Sequence, residues 1–411
     1  MRFVALIVFA VGVQVHELFG TIGLALLALT FVPALPQLTL ARLKAWWPLL
    51  AFIVWSLLAP TLGGNPPDGT GVARTLDWVI IPLVAVAVSE LTEARRRTLV
   101  IAIAATLMLS CFIAGLQHFG FWPAESAFAG LEWTRIPFSR VYERIGDEGT
   151  RFMGGGLLFH RLKFAHVSGL MLVVLLATRK PAMIAVAVLA LISVWIFPYA
   201  RMGAVAAMAG IAVTVALTAS SPRKALLVIG GLGVFAVAAV LLVAPLRQRF
   251  VAGLTDTGSG QRTQHLGAGL EAIRQHPIAG VGPGQFRPSK FGGPEMAEHV
   301  KDNPGKAHNQ FVSMAAETGV IGGLGFIALL IWLGAKARSQ PLGVLTLGAL
   351  AQFVVLSLVH DPLFQAPYSM SLVLLLGAGL SSAPRSPDAE GADGASAPAS
   401  PATPASPPAP R

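Results

Sequence analysis

Apolar stretches of about 17 to 20 residues, each long enough to cross about 30 Å of hydrocarbon as a helix, follow one another along most of the chain with short polar breaks between them. They centre on residues 3–15, 18–35, 46–60, 72–89, 98–116, 164–177, 181–197, 202–219, 225–244, 311–334, 342–359 and 367–382, about twelve spans. Uninterrupted apolar runs of this kind predict helices rather than barrel strands, because a helix satisfies its backbone polar groups within one segment. The expected fold is an all-α polytopic membrane protein with this organisation: helices 1 to 5 in 1–116, a first large loop in 117–163, helices 6 to 9 in 164–245, a second large loop in 246–310, helices 10 to 12 in 311–382, and a tail in 383–411. The first run follows Arg2 and has signal-peptide length, but no small-x-small cleavage site follows it, so it reads as retained. The tail is dominated by Pro, Ala and Ser and cannot bury a core, which makes it an expected disordered extension.

Composition supports the hydropathy pattern: 12% of residues are charged, half of the about 25% usual in a soluble domain. Charge placement then orients the helices. With the N-terminus inside, alternate short loops carry Arg42 and Lys44, Arg95 to Arg97, Arg179 and Lys180, Arg223 and Lys224, and Lys336 and Arg338, all on the cytoplasmic face. The opposite short loops, 61–71, 197–200 and 360–366, hold no Lys or Arg, which is the positive-inside pattern with both termini cytoplasmic. Topology therefore accounts for much of the net +10, and no nucleic-acid partner is needed to explain it. Cys111 is the lone cysteine and lies within a span, which excludes an internal disulfide or a cysteine-based metal site.

Two loops break the pattern, both on the outer side. The first holds Arg135, Arg140, Arg144, Arg151, Arg161 and Lys163; the second holds Arg247, Arg249, Arg262, Arg274, Arg287, Lys290, Lys301 and Lys306. Arginine forks suit phosphate oxygens, so an anionic ligand is one reading. Contact with anionic lipid head groups, or pairing with Glu125, Glu132, Glu143, Asp147 and Glu148, is the other. Arg201 follows Phe197-Pro-Tyr-Ala200 where two apolar helices meet. An arginine costs about 2.5 to 3.5 kcal/mol at mid-membrane and less at the edge, so Arg201 either snorkels to head groups or grips the phosphate of a lipid-linked substrate.

Within the second loop, Leu266, Leu270 and Ile273 recur at helical spacing and predict a short amphipathic helix over 261–275. The turn Gly280-Val-Gly-Pro-Gly-Gln-Phe286 allows backbone to approach a ligand or a neighbouring helix. His308, in Lys306-Ala-His-Asn-Gln-Phe311, stands where this polar segment meets the next apolar run. The positive end of the following helix and nearby arginines disfavour imidazolium, leaving a neutral ring able to accept a proton. A helix-capping histidine is the plainer alternative. His16, His118, His160, His166, His265, His276, His299 and His360 read as structural, and no pair has the spacing of a helical zinc site.

The succession Arg262 with its helix, His276-Pro277, Gly280-Val-Gly-Pro-Gly284, Ala307-His-Asn-Gln-Phe311 and Ala316-Glu-Thr-Gly319 resembles the O-antigen ligase and polymerase superfamily over about residues 195 to 330. The span count and length resemble its ligase branch and, more broadly, glycosyltransferases of the GT-C type. The resemblance implies a multi-pass protein of the bacterial inner membrane with a periplasmic active site. Its partners would be membrane lipids and two substrates, an O-antigen donor on undecaprenyl pyrophosphate and a lipid A-core acceptor. It implies that Arg201 and Arg262 hold the pyrophosphate, that His308 activates the acceptor hydroxyl, and that Arg161, in a segment departing from the usual Gly-rich pattern, is a third donor-binding arginine. The outer loops lack an Asp-x-Asp pair, and isolated acids such as Asp256 and Asp302 form no evident magnesium cage. A cofactor-free, metal-independent displacement that inverts the anomeric centre, with arginines stabilising the leaving charge, is the consistent expectation. An O-antigen polymerase, a protein-glycosylating ligase and a transporter or flippase of lipid-linked glycans are the alternatives.

Overall fold

A computed structural model describes residues 1–33, 39, 43–121, 152–244, 246–248, 251, 260–292 and 306–382. Most basic residues of the first large loop, from Arg135 to Arg151, lie outside the described residues, as do Arg42, Arg249, Lys301, Asp256, Asp302, His299 and the tail. Helices and turns make up the described residues, without a β-strand among them. In chain order the helices are α1 (Arg2–Val15), α2 (Glu17–Leu29), α3 (Trp47–Leu62), α4 (Gly69–Leu76), α5 (Ile80–Ser89) and α6 (Glu93–His118). After the first large loop come α7 (Arg161–Ala177), α8 (Pro181–Ile196), α9 (Arg201–Thr218) and α10 (Pro222–Leu242). The chain then forms α11 (Gly260–Gln275), α12 (Gln310–Ala337), α13 (Gly343–Ser357) and α14 (Ala366–Gly379).

A helix lies at each position where hydropathy predicts one, but not all have the length of a span. Five are long and apolar enough to cross a membrane: 69–89 (α4 with α5), α6, α9, α10 and α12. The shorter apolar helices have 13 to 17 residues, roughly 20 to 25 Å of helix. At the start of the chain the two expected runs form two short helices, α1 and α2. His16 adopts an extended conformation that ends α1, and its side chain caps α2 by accepting from the Leu18 amide at 3.1 Å. The two helices fold back on each other because glycines line their contact. A Cβ on Gly23 would sit 2.3 Å from the Phe9 nitrogen, and one on Gly12 would sit 2.5 Å from the Phe19 carbonyl carbon.

The core is built around α7 and α14, whose side chains are buried on nearly every face. Small residues let the neighbouring helices close in, as in membrane helix packing. α9 meets α13 where a Cβ on Gly210 would lie 2.9 Å from the Gly348 carbonyl oxygen. By contrast α10 exposes Leu226, Leu227, Val234, Val237 and Leu242 to its surroundings, which suits a helix facing lipid rather than water.

The second outer segment folds against this bundle. α11 forms over the expected residues, but its buried face is His265, Ala268 and Ala272, while Leu270 points outward. Alanines win that face because the helix packs closely on Phe286, Ala307 and Ala316. The Gly-rich turn is also structural. α12 is broken at Gly319, whose φ of 74° and ψ of 172° interrupt its hydrogen-bond ladder. The Val281 and Gly282 amides donate to the carbonyls of Ala316 and Glu317, both at 2.9 Å, and Val320 donates to Pro277 at 2.8 Å. A Cβ on Gly280 would lie 2.4 Å from the Glu317 carbonyl, so glycine serves close approach to a helix here.

Candidate functional site

The bundle has two chemically different ends. Arg2 pairs with Glu90, and Lys336 stacks near Trp46 and Trp332, at one end. The other collects the turn at His16 and Glu17, the starts of α7, α9, α12 and α14, the end of α13 and the whole of α11. Contacts that join these parts include Lys163 Nζ to Glu17 at 3.1 Å, His166 Nδ1 to Gln365 Oε1 at 3.0 Å and His265 Nδ1 to the Lys306 carbonyl at 2.9 Å. Every residue singled out from sequence as a site residue lies at this second end.

His308 is held there by a rigid loop. Its backbone is left-handed, with φ of 54°, a conformation costly for most side chains and retained where surrounding bonds over-determine it. Asn309 caps α12 by accepting from the Phe311 and Val312 amides, both at 3.1 Å, and donates to the Leu358 carbonyl at 3.3 Å. The Ala307 amide donates to Ser313 Oγ at 3.0 Å, Ser313 donates to Asp361, and the His308 amide also donates to Asp361. Gln310 Oε1 accepts from the Leu363 amide at 3.0 Å. The segment between α13 and α14 thus fixes the histidine loop from behind.

Four histidines come together around this loop. The His265 ring meets His308 edge-on at 4.9 Å between centroids, and His166 lies 5.5 Å from His360. Because His265 Nδ1 faces a carbonyl, that nitrogen donates to it. Burial, followed by the charges of His265, Arg262 and Lys306, pushes His308 down to about 4. Its ring is therefore neutral at pH 7, although burial rather than the helix end leads the effect. His360 is held well below its usual range by burial and by His166 and Arg262. Lys306 is pulled down by burial, against which the Asp361 carboxylate acts. Asp361 is pushed up to about 6 by burial, opposed by its bond from Ser313 and by Lys306.

The three arginines enter from different helices. Arg262 is exposed on α11 and lies within electrostatic reach of His308 and His360. Arg161 and Arg201 are the first residues of α7 and α9. The first turn of α9 lies against His166: a Cβ on Gly203 would be 2.9 Å from its Cδ2. Arg161, five residues before His166, is also within its electrostatic reach. The histidine row thus runs between the start of α9 and the α11 arginine.

Several participants were not evident from sequence. Arg74 of α4 forms a buried ion pair with Glu317 and lies 3.9 Å over the Phe364 ring, which Lys306 Nζ approaches at 6.0 Å. Glu317 Oε1 also accepts from the Gly284 amide at 2.9 Å. Arg74 stands near the start of an apolar run, and Lys306 is one of many charges in its loop. His360-Asp361 lies in a loop useful for orientation because it holds no cation; its carboxylate carried no sequence signal. Among the described residues no group of three or more His, Cys, Asp or Glu is arranged to hold a metal ion.

Comparison with known families finds that residues 164–327 match the one described as O-antigen ligase. The match takes in Arg201, Arg262, His308 and Glu317 and stops short of Arg74, Arg161, His360 and Asp361. No curated protein matches the chain.

Proposed function

We propose, from the match of residues 164–327 to the O-antigen ligase family, that this chain transfers a glycan from undecaprenyl pyrophosphate to a sugar hydroxyl of lipid A-core at the periplasmic face of the inner membrane. The observation that carries this reading is a neutral, rigidly mounted His308 beside Arg262 and Lys306, at the end of the bundle where Arg161 and Arg201 also lie.

In the proposed reaction His308 accepts the proton of the acceptor hydroxyl. The freed oxygen pair attacks the anomeric carbon from the face opposite the pyrophosphate. The bond from that carbon to the phosphate oxygen breaks, its electron pair leaving with undecaprenyl pyrophosphate, and the centre inverts. Arg201, Arg262 and Arg161 bind the pyrophosphate and stabilise the negative charge that grows on it, which is electrostatic stabilisation by groups already in place. A base held at about 4 is weak in the empty protein. Bringing the anionic donor alongside Arg262 favours imidazolium and strengthens that base when the substrate is present.

The decisive test is transfer by purified protein in detergent, supplied with lipid-linked glycan and lipid A-core. Capping of the core without any gradient is expected, and Arg201→Ala and Arg262→Ala each should remove most of it. Elongation of a second lipid-linked glycan instead would indicate a polymerase; no transfer in detergent, with glycan translocation in sealed vesicles, would overturn the enzyme reading.

The pH profile gives a further expectation. A general base works deprotonated, so activity falls as pH drops through the base's pKa. For kcat/KM, which reports the free enzyme, the acid limb should lie near 4, the value for His308. For kcat, which reports the complex, the limb should move toward neutrality as the donor's charge offsets Arg262. Protonation of Asp361 near 6 leaves it able to accept the Ser313 and His308 bonds, so that step should be shallow. A kcat limb lying below that of kcat/KM would contradict the role given to the donor.

A further inference from the structure

α7 has a second ligand-shaped feature at its other end, some 25 Å of helix from Arg161. There α6, α8, α13 and α14 leave a cleft of about 360 Å³, within the about 300 to 1,000 Å³ of ordinary ligand sites. Its walls are aliphatic, with Ile103, Val174, Leu345 and Leu375 among them. Its mouth carries Arg96, Arg97 and Lys180, against one carboxylate, Glu93.

Arg96 points to the ligand class. Its Nε is buried without a hydrogen-bond partner, and its Nη2 reaches only the Val88 carbonyl at 3.5 Å. A buried donor left unmade is costly, and the guanidinium fork matches phosphate oxygens. The cleft also includes Ala182 and Met183 in the first turn of α8. First-turn amides have no intrahelical partner, and Lys180, the N-cap, supplies no side-chain cap. Helix starts of this kind attract anions. An aliphatic slot that opens onto cations and free amides fits a molecule with a hydrocarbon chain and a phosphate.

We propose that this cleft binds one anionic glycerophospholipid, its phosphate on Arg96, Arg97 and Lys180 and an acyl chain along the aliphatic wall. Basic residues placed only by membrane orientation would meet head groups without enclosing them; here the arginine lines a cavity and its Nε is removed from solvent. Zwitterionic lipids offer the same phosphate but bring a further cation to a mouth that already has three. The site is separate from the transferase reading and stands or falls without it.

The test is native mass spectrometry of the whole protein released from detergent containing equal phosphatidylglycerol and phosphatidylcholine of matched chains. One retained phosphatidylglycerol, favoured by roughly tenfold, is expected, with the preference lost in Arg96→Gln/Lys180→Gln. Val100→Trp, which obstructs the apolar wall and keeps every cation, should lose the retained lipid as well. Equal retention of both lipids by the unaltered protein, or a preference unchanged in both variants, would overturn the proposal.

Discussion

Replacing His308 with asparagine is expected to slow glycan transfer by about 10²- to 10⁴-fold, with membrane insertion and thermal midpoint preserved. Asparagine is the suitable substitution because the position is left-handed, with φ of 54°, and asparagine enters that region more readily than alanine. The loss should fall on kcat, since the arginines that bind the donor remain, and a change in kcat without change in KM marks an interaction made in the transition state. Arg262→Ala should differ by raising the donor KM as well. His265→Ala leaves the His308 ring without its edge-on neighbour but removes no group in contact with the acceptor, so its effect should be smaller. Steady-state rates with the purified lipids provide the measurement. Transfer by His308→Asn within tenfold of the unaltered protein would take the proton-accepting role from this residue.

Part of this candidate site is legible in the sequence, for reasons that also explain what is not. The helices announce themselves because an apolar run of membrane length admits few other structures. His308 stands out because a titratable group interrupts such a run, and Arg201 because a cation there needs an account. Helix length was less legible: the runs 3–15 and 18–35 are divided where His16 turns the chain, but the second helix ends at Leu29, short of its apolar run. Long-range partners were not legible at all. Arg74 and Glu317 are separated by 243 positions, and Asp361 meets Ser313 across 48; nothing local to either partner encodes the other. The histidines show the same limit. Individually His166, His265 and His360 look like ordinary core residues, and only the packing of α7, α11 and the α13–α14 segment makes them a row with His308.

The largest stability effect should come from Glu317→Ala. Glu317 is fully buried beside an Arg74 that is itself only 13% exposed, and removing one partner of a buried ion pair costs about 3 to 5 kcal/mol because the remaining charge is stranded. A further loss accompanies it: the Gly284 amide forfeits its acceptor, leaving the Gly-rich turn tied to the broken α12 by the backbone bonds from Val281 and Gly282. Glu317→Gln keeps an acceptor for Gly284 while removing the charge, so its thermal midpoint in detergent should lie between those of Glu317→Ala and the unaltered protein. Arg74→Met combined with Glu317→Gln should recover much of the loss, since replacing both charges leaves neither stranded. Activity should not recover with it: Arg74 packs on Phe364 in the segment that supports the His308 loop. A Glu317→Ala midpoint equal to that of the unaltered protein would show that the pair does not hold α12 to the Gly-rich turn. A double variant restored in midpoint yet slow in transfer would separate what this pair gives the fold from what it gives the site.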